Sequence, residues 1–271
     1  MSLPNPATRP AAHRPRGAAV LAGLLLLAGC GGAAGTGGPE QAPVPVPAVP
    51  AEPARPARPA AGPVELGGGA AYAALATRDV TVLSRPGRGD VVGLFQARLA
   101  WGNPTPFLVR AAHRDAAGRI WLKVLLPQEP NGSSGWVRRD QVRLTRVDRR
   151  AEVDLSARTL RLSRGGRVER VLRVAVGAPG TPTPTGEFFI TVKLRPPQVS
   201  PVYGAFALGL SAYSEVLDQF GTGDGQIALH GTANRFDLGR AVSHGCVRLD
   251  NAAITQLAEA LPVGSPVTIK E

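Results

Sequence analysis

Between residues 70 and 147, short β-branched or aromatic runs alternate with turn signals, and that period of two puts every second side chain on one face of a strand. Strands are predicted over Asp79 to Leu83, Val91 to Phe95, Phe107 to Ala111, Ile120 to Leu125 and Gly135 to Val137, with a last piece near Val142 to Leu144. Arg85-Pro86-Gly87, Ala117-Gly118 and Asn131-Gly132 mark turns between them. So many short strands in so short a segment predict a small β-barrel.

From Arg149 the strands lengthen. Ala151 to Leu155 and Thr159 to Ser163 flank a short turn, Gly165-Gly166 makes another, and arginine alternates with valine or leucine toward Val176. This predicts an antiparallel meander with one buried face. Thr181-Pro182-Thr183-Pro184-Thr185-Gly186 is too proline-rich for a central strand and reads as an ordered surface loop, feeding a strand over Glu187 to Leu194. Residues 195–226 show no clear period; a long irregular stretch inside a compact domain reads as a lid or substrate-binding segment. Gln226 to Leu229 is a strand that delivers His230 at its end, where Gly231 lets the backbone turn away. Asp250 or Asn251 caps a helix to about Leu261 with Ile254, Leu257 and Leu261 on one face; Pro262 and Gly264 stop it, and Pro266 to Lys270 is the last strand. The fold class is therefore mainly β, with one or two short helices.

Ahead of these elements the pattern disappears. Gly31 to about Gly69 is glycine, alanine and proline with almost no bulky apolar residue, too little to offset chain entropy, so it reads as a tether extended at ~3.1 Å per residue. Before it stand Arg14 and Arg16, an apolar run from Gly17 to Ala28, and Leu27-Ala28-Gly29-Cys30. That arrangement is an export signal, its apolar run of about 12 residues falling short of the ~20 that a transmembrane helix requires. Its ending resembles the lipobox of bacterial lipoproteins, which implies cleavage before Cys30, a diacylglyceryl group on that thiol, and anchoring to the outer face of the plasma membrane or in the periplasm. The expected organisation is a signal peptide at 1–29, a tether at 30–69, a small β-barrel at 70–147 and a second β-domain at 148–271. The piece Gly135-Trp136-Val137, followed by Asp140 to Leu144, resembles the end of bacterial Src-homology-3-like domains; such a module would bind wall glycopeptide, pack beside an active site, or act as a spacer. Trp101, Trp121 and Trp136 read as core or rim aromatics rather than sugar platforms.

The chain carries a formal net charge of +11, concentrated in residues 70–147. A basic stretch ordinarily points to nucleic acid, but export removes that partner. What remains is attraction to lipid headgroups, wall polymers and stem-peptide carboxylates, or a solvated arginine-rich face without a dedicated partner.

Chemistry concentrates in one stretch. The chain has 2 cysteines and 4 histidines. With Cys30 in the export segment, Cys246 is left as a free thiol, and His244 and His230 lie close to it in sequence. A thiol is a nucleophile as thiolate, which an imidazole can generate. An inert packed cysteine fits poorly beside Ser243, His244 and Gly245, and a zinc site from His230, His244 and Cys246 lacks a further ligand at suitable spacing. Gly245 permits a tight turn whose backbone N–H groups can form an oxyanion hole. His230 can take the thiol proton and return it to a leaving amine. For its orienting partner, Asp237 and Asp250 are available, and a backbone carbonyl such as that of Gly231 serves equally.

His230-Gly231-Thr232, then Gly239-Arg240 and Ser243-His244-Gly245-Cys246-Val247-Arg248-Leu249, closely resemble the signature of bacterial L,D-transpeptidases, the YkuD-type catalytic domain; the likeness covers about residues 149–271 and includes Pro184-Thr185-Gly186-Glu187-Phe188. The resemblance implies that Cys246 attacks a tetrapeptide stem of peptidoglycan between the third residue and terminal D-alanine, that a thioester forms, and that the amine of a second stem resolves it into a 3→3 crosslink. It assigns His230 as acid/base, the Gly245–Cys246 amides to the oxyanion, Ser243 and His244 to shaping the turn, and Gly231 and Thr232 to the substrate side. Arg248 either binds a substrate carboxylate or pairs with a neighbouring acid. No metal or organic cofactor is implied, and carbapenem-type inhibitors are expected to acylate the cysteine. The same thioester resolved by water would make an L,D-carboxypeptidase, and resolved by a protein amine would attach protein to the wall. A wall-binding lipoprotein without catalysis is the reading from another class.

Overall fold

The computed structural model describes residues 60–67, 70–219 and 223–271. The export signal, Cys30 and most of the tether lie outside the described residues. Eight strands, β1 (Gly62–Val64), β2 (Ala71–Ala76), β3 (Val80–Arg85), β4 (Arg88–Phe95), β5 (Pro106–Arg114), β6 (Ile120–Leu125), β7 (Ser134–Arg138) and β8 (Val142–Val147), form a first sheet. Its order is β4-β3-β7-β6-β5-β2-β8, with β1 also on β5. Phe107, Leu122, Val82 and Val137 are fully buried at its core, the inward half of each alternating pattern.

Two strands here escaped the sequence reading. β2 is alanine-rich and lacks the β-branched signal, yet Ala73 and Ala74 are fully buried. β1 falls within the stretch expected to be tether; Gly62 pairs with Arg114 and Val64 with Ala112, and Val64 and Leu66 pack on the first core. An edge left open on β5 supplied backbone partners that composition could not foresee.

The remaining strands are β9 (Arg149–Asp154), β10 (Thr159–Arg164), β11 (Arg167–Arg173), β12 (Val176–Gly177), β13 (Gly186–Leu194), β14 (Ala207–Tyr213), β15 (Gln226–Thr232), β16 (Ala241–Ser243), β17 (Val247–Asp250) and β18 (Pro266–Lys270), with helix α1 (Asn251–Ala260). The second sheet runs β11-β10-β9-β18-β13-β14-β15-β17, while β12 and β16 pair separately. The meander is real for β9 to β11, but β9–β18 and β15–β17 pair in parallel. β11 does not present the expected buried face. It is an edge strand; Val171 faces out opposite Arg161, a register shift between Leu162 and Ser163 sets exposed Val168 opposite Ser163, and Leu172 alone packs inward.

β14 occupies the stretch without a period. All seven of its residues are buried, because β13 and β15 flank it and both faces are covered, so no polar alternation is required. On the core face, α1 lays Ile254, Leu257 and Ala258 against the sheet; Asp250 Oδ1 accepts from the Ala252 N–H at 2.9 Å and caps it as predicted. No helix among the described residues is long and apolar enough to cross a membrane.

The two sheets touch through specific groups. Arg110 of β5 pairs with Glu187 of β13. The Asn131 carboxamide bonds both backbone groups of Tyr213, accepting from its N–H at 2.9 Å and donating to its C=O at 2.8 Å, as a short strand would. The Tyr213 hydroxyl donates to the Pro127 carbonyl at 3.3 Å. Gly264 lies so close to Ala73 that a β-carbon there would collide with Ala73 Cβ, and its φ of +86° is one that L side chains rarely adopt. Gly264→Ala should therefore lower stability by about 2–4 kcal/mol, a fall in melting temperature on the order of 10 °C. Gly180→Ala, which meets nothing within 4 Å, should leave the melting curve nearly unchanged.

Candidate active site

The site is assembled from β15, the β16–β17 turn and two loops that hold them. Between β16 and β17, Ser243 Oγ accepts the Gly245 N–H at 3.1 Å and donates to the Cys246 carbonyl at 2.6 Å, closing the turn on itself. Gly245 has φ of +114°, which favours glycine, and a β-carbon there would have to push aside Ile227 Cδ1 at 2.9 Å. The proline-rich loop grips the turn from outside: Thr181 Oγ1 donates to the Ser243 carbonyl at 2.9 Å and Thr183 Oγ1 to the Gly245 carbonyl at 2.8 Å. Thr183 in turn accepts from the Gly177 N–H at 2.9 Å and is itself buried.

The turn sets Cys246 against β15, where the Ala228 N–H donates to Sγ at 3.4 Å. Two residues further along the same strand stands His230, only 4% exposed. Its Nδ1 lies 2.9 Å from the Gly231 carbonyl oxygen. A carbonyl only accepts, so Nδ1 carries the proton and Nε2 keeps its lone pair. His230 and Cys246 line one narrow cleft of about 60 Å³, together with Tyr203, His244 and Arg248. The fold brings the two groups the sequence singled out into one cleft, and the group facing His230 Nδ1 is the Gly231 carbonyl rather than an acid.

The other predicted residues divide between the cleft and its surroundings. Arg248 Nη1 pairs with Asp237 Oδ2 at 2.8 Å, the structural alternative weighed for it. Thr232 Oγ1 accepts from the Asn234 N–H at 3.0 Å at the end of β15, and neither it nor Gly231 lines the cleft. The strand continues through Gly231 instead of turning away. Glycine is needed there because a β-carbon would collide with Asn251 Oδ1 and crowd the Ala205 backbone N. His244 is exposed at the rim. Among the described residues no three His, Cys, Asp or Glu side chains gather as metal ligands.

The role of three contributors carried no local signal. Tyr203 sets its ring edge-to-face on His230 at 5.5 Å and 82°. Its carbonyl accepts the Gly231 N–H at 3.0 Å, and Asn251 Oδ1 accepts the Ala205 N–H at 2.8 Å, so the 203–206 turn is held over β15. The Thr-Pro repeat was visible as an ordered loop, but its target, the cysteine turn, lies 62 residues away and only the fold reveals it.

Residues 148–269 match YkuD, the L,D-transpeptidase catalytic domain. A Bacillus subtilis (strain 168) protein provisionally named L,D-transpeptidase YkuD is 39% identical over 117 residues, covering 43% of this chain and 63% of that protein. Its Bacillus licheniformis counterpart is 38% identical over 120 residues, covering 44% and 64%. The chain thus spans somewhat under two thirds of the curated relatives it matches. A solved L,D-transpeptidase from Mycobacterium tuberculosis H37Rv covers 56% of this chain and 90% of its own at 16% identity and a TM-score of 0.39, too loose a superposition to carry a functional argument.

Electrostatics set the resting state of this catalytic-domain match. Burial pushes the His230 imidazole down from 6.5 to about 4, the Gly231 contact opposing and the Arg248 charge adding to the shift. Burial also raises the Cys246 thiol, against the lowering effects of the Ala228 N–H and Arg248. At neutral pH the pair is therefore thiol and neutral imidazole, not an ion pair, because removing either group from water penalises its charged form. Between pH 6.5 and about 4 the unfolded imidazole binds a proton that the folded one refuses. Stability from this group is complete above 6.5 and falls as pH drops, by up to about 1.4 kcal/mol per pH unit. Urea midpoints measured between pH 6.5 and 5 should show that slope in the native chain and a flatter one in His230→Gln.

Proposed function

We propose that this chain is a peptidoglycan L,D-transpeptidase that joins stem peptides through a cysteinyl thioester on Cys246, giving 3→3 crosslinks. The observation that carries the reading is the sulfur held by the Ala228 N–H in the cleft it shares with His230, whose Nδ1 faces the Gly231 carbonyl and whose Nε2 has no hydrogen-bond partner among the described residues. The match of residues 148–269 to the L,D-transpeptidase catalytic domain supports the reaction class.

Substrate filling the narrow cleft displaces water, and His230, neutral at working pH, takes the thiol proton on Nε2 as Sγ attacks the carbonyl preceding D-alanine. The negative charge passes to the carbonyl oxygen. The Gly245 N–H is already given to Ser243, so the oxyanion falls to the Cys246 N–H, in the turn that Ser243 and Thr183 keep rigid. Collapse breaks the carbon–nitrogen bond, and His230 returns its proton to the departing D-alanine amine. The amine of a second stem then attacks the thioester, His230 accepts its proton, and the thiolate leaves and is reprotonated as the new amide forms. Arg248, tied to Asp237, keeps a positive charge beside the sulfur as thiolate develops. Residues 70–147 form the companion module, read as Src-homology-3-like, and the carbapenem class of β-lactams reacts at the same sulfur.

Tetrapeptide muropeptides incubated with the soluble part should yield crosslinked dimers with loss of D-alanine by mass. Cys246→Ala should abolish them, and His230→Ala should lower the rate by roughly 10²–10⁴-fold. Tripeptide as the only product would replace transfer by hydrolysis, and no β-lactam adduct on Cys246 would leave a binding module. The reading also places the protein outside the cytoplasm, held by a diacylglyceryl group on Cys30 with the catalytic part in the wall space. Cys30→Ser should move it from the membrane to the soluble fraction on differential centrifugation; unchanged sedimentation would remove the anchor from the proposal.

A further inference from the structure

A second, wider groove of about 730 Å³ runs beside the cysteine cleft. The two share Val202, Tyr203 and Ala228, and Ala228 is the residue whose N–H holds the sulfur. Most of the groove comes from β13, β14 and the proline-rich segment 195–201, but one wall is Trp101, from the turn between β4 and β5 of the first sheet. The other two tryptophans have partners inside that sheet. Trp121 is 5% exposed and its Nε1 donates to Asp115 Oδ2 at 3.0 Å, and Trp136 stands edge-to-face on His113. Trp101 remains 39% exposed.

Its turn is braced. The Gly102 N–H donates to the Leu99 carbonyl at 2.8 Å, the Leu99 N–H to the Asn103 carbonyl at 2.8 Å, and Gly102 takes φ of +80°. An indole on a braced backbone offers a flat apolar face with only its two side-chain torsions to order on binding. The lining also includes Gln198, Ser200, whose Oγ accepts the Val202 and Tyr203 N–H groups, and Arg195, whose guanidinium lies 5.5 Å over the Phe206 ring and carries the only charge among the described lining residues. A flat face with amide, hydroxyl and guanidinium groups at its edge fits a pyranose ring, whose C–H face is apolar and whose hydroxyl and acetamido groups project sideways. An amine-bearing peptide end fits it poorly, since it would meet Arg195 with no acid to pair.

We propose that this groove is a saccharide subsite in which Trp101 stacks on an N-acetylated pyranose of the glycan strand; on the proposed function, that is the strand carrying the stem presented to Cys246. The first sheet is then part of the binding site, not a spacer, and Trp101 is a specificity-determining residue contributed by it.

The test is isothermal titration calorimetry on the full-length chain carrying Cys246→Ala, with peptide-free N-acetylglucosamine–N-acetylmuramic acid disaccharide and, separately, sugar-free tetrapeptide. The disaccharide should bind saturably, roughly tenfold more weakly after Trp101→Ala, with affinity partly restored by Trp101→Phe. Tetrapeptide affinity should be the same in all three, and unchanged melting curves show that the variants fold. Equal disaccharide binding with and without the indole, or none at all, overturns the subsite. Equal weakening of both ligands makes the groove a peptide wall and overturns it too. The subsite and the catalytic reading fail separately: Trp101-dependent sugar binding in a chain that makes no product from tetrapeptides leaves the subsite standing, and products without such binding leave the chemistry standing.

Discussion

Everything at the site depends on one backbone turn being unable to relax. Ser243 Oγ bridges the amide of Gly245 and the carbonyl of Cys246, and Gly245 adopts a φ that other residues reach only with strain. Thr181 and Thr183 hold the outer carbonyls. A sulfur on a loose loop would sample many positions; here it is delivered to a single N–H on the adjacent strand. The hydroxyls that accomplish this are largely removed from water, so each lost bond would leave an unpaired polar group and cost about 1–3 kcal/mol.

The same burial that makes the turn rigid decides the protonation states. Burial outweighs the groups that would favour ions, namely the Ala228 N–H and the Arg248 charge at the thiol and the Gly231 carbonyl at the imidazole. Holding the pair neutral keeps the imidazole in the form that can accept a proton, and defers charge separation until a substrate carbonyl is present to receive the electrons. Burial and readiness as a base are thus the same physical fact. The positive charge of Arg248 lies close enough to favour thiolate without forming it at rest.

The two sheets cooperate through few but directional contacts. Asn131 satisfies both backbone groups of Tyr213 at the end of the central strand, immediately before the segment whose Ser214 and Leu217 line the cleft. Trp101 reaches the neighbouring groove from the same sheet. Position and orientation near the cysteine are consequently set in part by residues more than a hundred positions upstream.

Much of this was legible in the chain itself. Strands with β-branched alternation, such as Ile120–Leu125 and Pro266–Lys270, and the Asp250-capped helix were readable because local propensity and burial agree there. So were Cys246, His230 and the Ser243–Gly245 turn, since reactive groups and a glycine with positive φ depend on residue identity at adjacent positions. Tertiary structure alone decided the rest. β14 reads as irregular because a strand covered on both faces needs no polar half, and β1 borrows an edge that composition cannot announce. Arg248 turns to Asp237 eleven positions away, while Thr183 reaches Gly245 and Trp101 an open groove across many tens of residues. Local sequence specifies what a residue can do, but which partner it meets is settled only when distant strands pack.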